Sequence, residues 1–211
     1  MTLLHRIPGL VKHALIFELN IYKSLLRWLF RQPSIPRGFE PVGYAQLATP
    51  MLALWIFGSA LELPLVHVLV PWHGIRITLL VIGVWGLLWM LGVLAGLRSY
   101  PHLLGPDTLH IRNGALHDLV IPWSAVAQVS TLDRSLPSSM WSLQPQETEQ
   151  GIHLNVAVSG RVNLHLALRE PRTIRTRKGE MTVTGLSLWV DEPRETAARI
   201  RRHTESQNRP A

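Results

Sequence analysis

The hydrophobic pattern divides the chain into one apolar segment and two flanking parts of mixed polarity. Residues 47–70 and 75–97 form apolar runs of 24 and 23 residues. A helix of about 20 residues crosses a hydrocarbon core of roughly 30 Å. Only residues 71–74 separate the two runs, which leaves room for a tight connection and little else. The pattern therefore predicts a two-helix transmembrane hairpin over residues 47–97.

The part before the hairpin has the pattern of an amphipathic helix over residues 10–31, ended by Pro33. Its basic residues, including Lys23, Arg27 and Arg31, recur at helical spacing beneath a wide apolar face. This pattern is typical of a helix that lies in the membrane interface and contacts anionic lipid. Packing on the soluble domain or on a partner is the alternative. We assign residues 1–33 to this helix and residues 34–46 to a linker.

Beyond residue 97 the apolar period changes from helical to two. The alternation predicts about seven short antiparallel strands, followed by a helix over residues 192–203. Short strands at regular spacing favour a barrel or a sandwich. The fold class is thus α+β, with a soluble domain over residues 98–203 and a disordered tail over residues 204–211.

The first predicted hairpin has Asn113 and Gly114 at its turn, a pair that supplies the positive φ angles of a type I′ turn. Its register stays open. A two-residue loop pairs His110 with His117, whereas a three-residue loop pairs His110 with Asp118.

A second hairpin follows from the alternation of apolar residues on either side of residues 159–161. Facing apolar with apolar residues places Ile152 opposite Leu168. The preceding residues 133–151 are predicted to form a long polar loop, in which Met140 and Trp141 are candidates for an exposed partner contact.

Residues 98–129 carry a resemblance to a known family. They contain an extended entry, a strand, Gly114, a second strand that ends in Ile121 and Pro122, and then Val126. In this pattern the chain resembles bacterial membrane proteins in which a transmembrane helical hairpin precedes a pleckstrin-homology-like domain. The resemblance covers residues 44 to about 203. It implies an antiparallel barrel with a C-terminal helix and a membrane-tethered scaffold with no assigned chemistry.

The distribution of charge predicts how the hairpin is oriented in the membrane. The formal net charge is +7, and 6 Lys and Arg residues precede the hairpin, 14 follow it and only Arg76 lies between. The bias of basic residues toward the cytoplasmic side predicts that both termini are cytoplasmic. With the resemblance, this points to a bacterial inner-membrane protein with two spans. The chain has no cysteine, which excludes disulfides, thiolate zinc sites and cysteine nucleophiles.

Basic residues also concentrate on a predicted hairpin near residue 178, at Arg172, Arg175, Arg177 and Lys178. This hairpin could contact lipid headgroups or an acidic partner, or form a solvated edge that discourages aggregation. Nucleic acid is not an expected partner, because no aromatic residues interleave the basic ones.

Two pairs of residues within the predicted spans are of interest. Glu62 and His67 are polar groups in the first span, where an ionisable residue is by default a functional candidate. A structural or partner-facing position is the alternative for them. Gly92 and Gly96 have the small-xxx-small spacing that allows close helix approach, either to a partner or simply to the first span.

No nucleophile elbow and no phosphate-binding glycine loop occurs in the sequence. We therefore expect no enzymatic activity, no cofactor and no metal site. The expected function is that of a membrane-anchored scaffold or adaptor, an accessory or assembly subunit that contacts lipids and a membrane protein or a second copy of itself. The alternatives are an anionic-lipid-binding module and proton- or metal-linked activity through Glu62.

Overall fold

The structure is a computed structural model that describes residues 7–115, 117–137, 142–176 and 179–207, without the side chains of residues 7–14 and 117. The chain divides into two compact units. The helical unit extends up to Pro33 and resumes over Thr49–Ser99, whereas the β unit comprises Ser34–Ala48 and the chain from Tyr100 onward. The predicted α+β class is confirmed.

The helical unit contains three helices: α1 (Ile7–Leu29), α2 (Thr49–Leu69) and α3 (His73–Ser99). Helices α2 and α3 have 21 and 27 residues and are long and apolar enough to cross a membrane. No residue of α2 is buried within the protein. An apolar helix with no residue buried inside the protein is typical of a membrane span, which agrees with the predicted hairpin.

The first sheet of the β unit is antiparallel, with its four strands in chain order: β1 (Glu40–Val42), β2 (His102–Leu104), β3 (Thr108–Asn113) and β4 (His117–Pro122). Neither predicted register of the β3–β4 hairpin is correct, because His110 lies opposite Val120. The observed register places Leu109 opposite Ile121, and both side chains are buried in the core.

Part of the predicted linker is strand β1, which pairs with β2 across the two long helices in the sequence. The residues that follow β1 also contact the rest of the β unit. Tyr44 is buried and stacks on His102 with ring centroids 4.5 Å apart. The Asp191 carboxylate accepts the Gln46 N–H at 2.9 Å. Residues 34–48 are therefore a structural part of the β unit.

The second sheet has five strands in the order β5-β8-β9-β7-β6: β5 (Val126–Ser135), β6 (Leu143–Thr148), β7 (Gly151–Val156), β8 (Arg161–Thr176) and β9 (Gly179–Leu188). A 3-10 turn over Trp123–Ala125 connects β4 to β5. Strands β7 and β9 run parallel, whereas the other neighbours are antiparallel.

Two predictions about this region are wrong. Ile152 does not face Leu168 but pairs with Val183 of β9, because β9 lies between β7 and β8. Alternation identifies the core-facing side of a strand but not its neighbour, and all three strands present apolar residues to the same core. Within the predicted polar loop, residues 143–148 form β6, an exposed edge strand that pairs with β7. Its polar composition lacks the apolar alternation by which a strand is predicted.

Helix α4 (Pro193–Gln207) confirms the predicted C-terminal helix and extends it by four residues beyond His203. Ala197 and Ile200 of α4 join residues of both sheets in one hydrophobic core. His203 stacks on Trp123 with ring centroids 4.9 Å apart. The two sheets are not closed into a barrel, since the strands form two separate hydrogen-bonded sets around the shared core.

Candidate functional site

The C-terminal half of α1 packs against α3. Ile21 and Ser24 of α1 are buried at this contact. A Cβ atom added to Gly92 would lie 3.0 Å from the Ile21 carbonyl oxygen, and one added to Gly96 would lie 3.8 Å from Cβ of Ser24. Glycine at these positions thus lets the two backbones approach closely. The helix that Gly92 and Gly96 contact is α1, not the first span.

A polar cluster lies next to this contact and was not foreseen from the sequence. One oxygen of Glu18, Oε1, accepts hydrogen bonds from the Tyr22 hydroxyl and from Trp85 Nε1, both at 3.1 Å. Phe17 lies against Trp89, with ring centroids 6.1 Å apart. Glu18, Ile21 and Ser24 of α1 meet Trp85, Gly92 and Gly96 of α3 in that order, so the two helices run in the same direction. The i,i+4 spacing of Glu18 and Tyr22 was the only signal in the sequence.

Helix α1 ends in a hydrogen-bonding pattern that normally requires glycine. The Gln32 N–H donates to the Arg27 carbonyl at 2.8 Å, and the Arg31 N–H donates to the Trp28 carbonyl at 3.1 Å. These two bonds define a Schellman motif with Arg31 at the position beyond the cap. Arg31 has a φ of 52°, the left-handed conformation that an arginine adopts only at a cost.

Next to this helix end is an open cavity of about 520 Å³, where α1 and α3 both terminate. Its lining contains three arginines and no acidic residue. The lining residues are Arg27, Trp28, Leu29, Arg31, Gln32, Pro33, Arg98 and Ser99. Of the three basic residues predicted to contact lipid, the structure brings Arg27 and Arg31 together and adds Arg98. Lys23 is exposed on α1 but does not line the cavity.

Glu62 and His67 both lie on α2 with exposed side chains. Among the described residues, no three His, Asp or Glu side chains come together in an arrangement that could hold a metal ion.

The predicted basic hairpin is formed by β8 and β9. Arg172 is exposed and lies opposite Val183. Arg175 Nε donates to Glu180 Oε1 at 2.8 Å, between two well-exposed side chains. The predicted site residues Arg177, Lys178, Met140 and Trp141 lie outside the described residues.

A second cavity, of about 460 Å³, lies on the face of the five-stranded sheet that points away from the hydrophobic core. His153 and His165 stack there with ring centroids 5.1 Å apart. The Ser187 hydroxyl lies 2.9 Å from His153 Nε2 and 3.4 Å from His165 Nδ1. Arg134 also lines the cavity and donates to the Asn155 side chain at 2.7 Å.

The electrostatics of this cavity favour neutral imidazoles. Burial, together with the smaller effects of the neighbouring His165 and Arg134, lowers the pKa of His153 to about 4. Burial and Arg134 also lower the pKa of His165. Because the Ser187 hydroxyl has one proton, it can donate to only one ring, and the other ring must donate its N–H to the oxygen. The cavity therefore presents ordered hydrogen-bonding groups beside the positive charge of Arg134 and the negative charge of Glu149.

Along their strands both histidines alternate with apolar residues, a pattern that is typical of solvated positions. The signal that could have revealed them is the repetition of polar groups at Asn155, Asn163, His165 and Ser187 on the same side of neighbouring strands. Three of these side chains are fully or nearly fully buried. Such burial is unusual for polar side chains on a sheet face that is exposed to solvent.

The chain matches no family model, and no curated protein and no solved structure resembles it at a significant level.

Proposed function

We propose that this protein is a membrane-anchored, non-enzymatic adaptor, an accessory or assembly subunit whose β unit docks a membrane-associated partner. Helices α2 and α3 supply the anchor, and the absence of any buried residue in α2 supports their placement in lipid or against another membrane helix. The β unit supplies the binding module, because it has a hydrophobic core of its own.

The observation that carries the docking proposal is the polar cavity lined by Arg134, His153, His165 and Ser187. Its side chains are already held by hydrogen bonds to one another and to the sheet. Preordered groups lose little conformational freedom on binding, so they suit the recognition of a polar segment of a partner. Anchoring the module beside that partner raises its effective concentration and allows a weak contact to suffice.

The proposed setting is the bacterial inner membrane, with the C-terminal ends of α1 and α3 and the β unit on the cytoplasmic side. The excess of Lys and Arg outside the α2–α3 hairpin supports this orientation. We also propose a kinship with the membrane proteins that have a pleckstrin-homology-like domain. The order of elements supports it, since a helical hairpin is followed by two sheets and a C-terminal helix. The parallel pairing of β7 with β9 differs from the antiparallel barrel that this kinship implies.

The test is affinity purification of the full-length chain from its native membrane in a mild detergent, with mass spectrometry of bound proteins. The wild type is compared with Arg134→Gln, which removes the positive charge that lines the cavity, and with Arg169→Gln. Arg169 is an exposed residue outside the cavity, so its substitution makes the same change of charge elsewhere.

We expect a stoichiometric membrane partner with the wild type and with Arg169→Gln, and much less of it with Arg134→Gln. A wild-type protein that purifies alone or only as a homo-oligomer would contradict the adaptor proposal. A partner retained equally by both variants would show that the cavity is not the docking site.

A further inference from the structure

We infer that the cavity lined by Arg27, Arg31 and Arg98 binds the phosphate of an anionic phospholipid headgroup. This inference rests on the proposed membrane anchorage but does not require a protein partner. The three arginines come from the C-terminal ends of two helices that are about 70 positions apart in the sequence.

The charges in the cavity match a phosphate. Three guanidinium groups line it, and none of the lining residues is Asp or Glu. Guanidinium groups bind phosphate oxygens in pairs of parallel hydrogen bonds, which makes arginine better suited to this contact than lysine. Basic pockets between helices at the cytoplasmic end of a membrane segment are suited to acidic headgroups.

The neighbouring residues favour a lipid over a soluble phosphate. Arg98 directly follows the apolar run that ends at Leu97, which places it at the edge of the predicted span. Trp28 and Leu29 also line the cavity, and both are exposed. Tryptophan is enriched at the level of the headgroups, and an exposed leucine beside it provides an apolar surface for acyl chains.

The backbone at Arg31 provides a second and independent observation. Glycine is the usual residue at this position of a Schellman motif, because it adopts positive φ without strain. An arginine with a φ of 52° is less stable there. Strained residues persist where the side chain has a use, and this guanidinium belongs to the cavity lining.

A simpler explanation is that the arginines only complement the negative ends of the helix dipoles. The dipole explains why basic residues lie near the ends of α1 and α3. It does not require a left-handed arginine, and it predicts no preference for phosphate over other ligands. The two explanations differ in what happens when Arg31 becomes glycine.

The experiment is a titration of the purified full-length protein in neutral detergent with dioctanoyl phosphatidylglycerol. At each lipid concentration the melting temperature is measured by tryptophan fluorescence. Dioctanoyl phosphatidylcholine and inorganic phosphate are titrated in parallel. The variants are Arg31→Gly and Arg98→Gln, with Arg76→Gln as the control. Arg76 lies at the other end of α3, and its substitution makes the same change of net charge.

We expect phosphatidylglycerol to raise the melting temperature of the wild type, and phosphatidylcholine and inorganic phosphate to have little effect. Arg31→Gly should be at least as stable as the wild type without lipid, yet bind phosphatidylglycerol about fivefold more weakly. That factor corresponds to about 1 kcal/mol for one basic residue at an anionic surface. Arg98→Gln should lose a similar factor, and Arg76→Gln should bind as the wild type does.

Equal responses to the two lipids, or wild-type binding by Arg31→Gly, would overturn the inference. An equal response to inorganic phosphate would overturn the assignment to lipid and give the site to a soluble phosphate. Failure to fold by Arg98→Gln would leave Arg31→Gly as the deciding variant. The titration uses purified protein alone, so its failure is separate from any failure to find a docked partner.

Discussion

His102 Nδ1 accepts the backbone N–H of Arg112 at 2.9 Å. The ring must therefore carry its proton on Nε2, which donates to the Trp189 carbonyl at 3.2 Å. Burial lowers the pKa of His102 to about 4. A second ring proton would remove the acceptor for Arg112 and place a charge inside the β unit, so the fold depends on a neutral imidazole.

The first prediction concerns pH. The pKa of an unfolded histidine is about 6.5, so between about pH 6.5 and pH 4 the unfolded state binds a proton that the folded state does not. The stability contributed by neutral His102 should be complete above pH 6.5 and should fall as the pH decreases toward 4. Melting temperatures of the purified protein at pH 7.5 and pH 5 check this.

The matched variant for this prediction is His102→Gln, whose amide offers one acceptor and one donor but does not titrate. Its melting temperature should fall less between pH 7.5 and pH 5 than that of the wild type. Some decrease should remain, because the pKa values of His153 and His165 are also lowered. An unchanged pH dependence would refute the assignment to His102.

The second prediction uses the absence of cysteine from the sequence. A Cβ at Gly96 lies 3.8 Å from Cβ of Ser24, which is the usual separation in a disulfide. The double variant Ser24→Cys with Gly96→Cys should form an intrachain disulfide on mild oxidation and lose reactivity toward maleimide. The pair Ser24→Cys with Gly83→Cys should stay reactive, because Gly83 faces Leu63 of α2. Equal reactivity of the two pairs would contradict the α1–α3 contact.

The third prediction concerns the close approach at Gly92. Gly92→Leu should separate α1 from α3, because the new side chain would meet Ile21 and its backbone carbonyl. Overpacking of this kind costs about 1–3 kcal/mol. Gly86→Leu is the control, since the space around Gly86 is open. Melting temperatures should fall for Gly92→Leu only, and similar values for both variants would argue against close packing at Gly92.

The fourth prediction concerns Glu18, which accepts hydrogen bonds from Tyr22 and Trp85. Glu18→Ala should destabilise the helical unit by about 0.6–1.7 kcal/mol, the range for hydrogen bonds between membrane helices. Glu18→Gln should be close to the wild type, because its amide oxygen still accepts both bonds. Thermal unfolding in detergent distinguishes the two. Equal damage by both variants would mean that the negative charge matters rather than the hydrogen bonds.

The fifth prediction concerns Tyr44, whose hydroxyl accepts the Gly114 N–H at 2.7 Å. Tyr44→Phe removes that acceptor and should cost about 1–3 kcal/mol. Tyr44→Ala also removes the ring that stacks on His102 and should cost about 3–5 kcal/mol. The order of melting temperatures should be wild type, then Tyr44→Phe, then Tyr44→Ala. Wild-type stability of Tyr44→Ala would mean that residues 34–48 are a linker after all.

The sequence predicted the elements whose signal is local. Helices α2 and α3 follow from long apolar runs, and alternation located most strands. Strand neighbours were not predictable, because Leu154, Leu164 and Leu186 give the same pattern in three adjacent strands. Strand β6 was missed because an exposed edge strand does not need the alternation that identifies buried ones.

The candidate sites also divide into residues with a local sequence signal and residues that only tertiary packing brings together. Arg27 and Arg31 were identified because they lie on one helical stripe. Arg98 could not be grouped with them, since only the packing of α1 on α3 brings it near. For His153 and His165, alternation indicates only that they lie on the side of their strands that faces away from the core. Alternation does not show that side chains of the neighbouring strands partly bury the two histidines on that outer face.

The pairing of β1 with β2 constrains the order in which the protein can be made. Gln46 contacts Asp191, which is 145 positions later in the chain. A growing chain exposes residues 34–48 before α2 and α3 are synthesised, and their partners emerge only afterwards. The segment must therefore wait unpaired while the helical hairpin is inserted, and closing such distant contacts is slow. A ribosome-stalled chain that ends just after α3 should expose residues 34–48 to proteolysis, which the finished protein would resist.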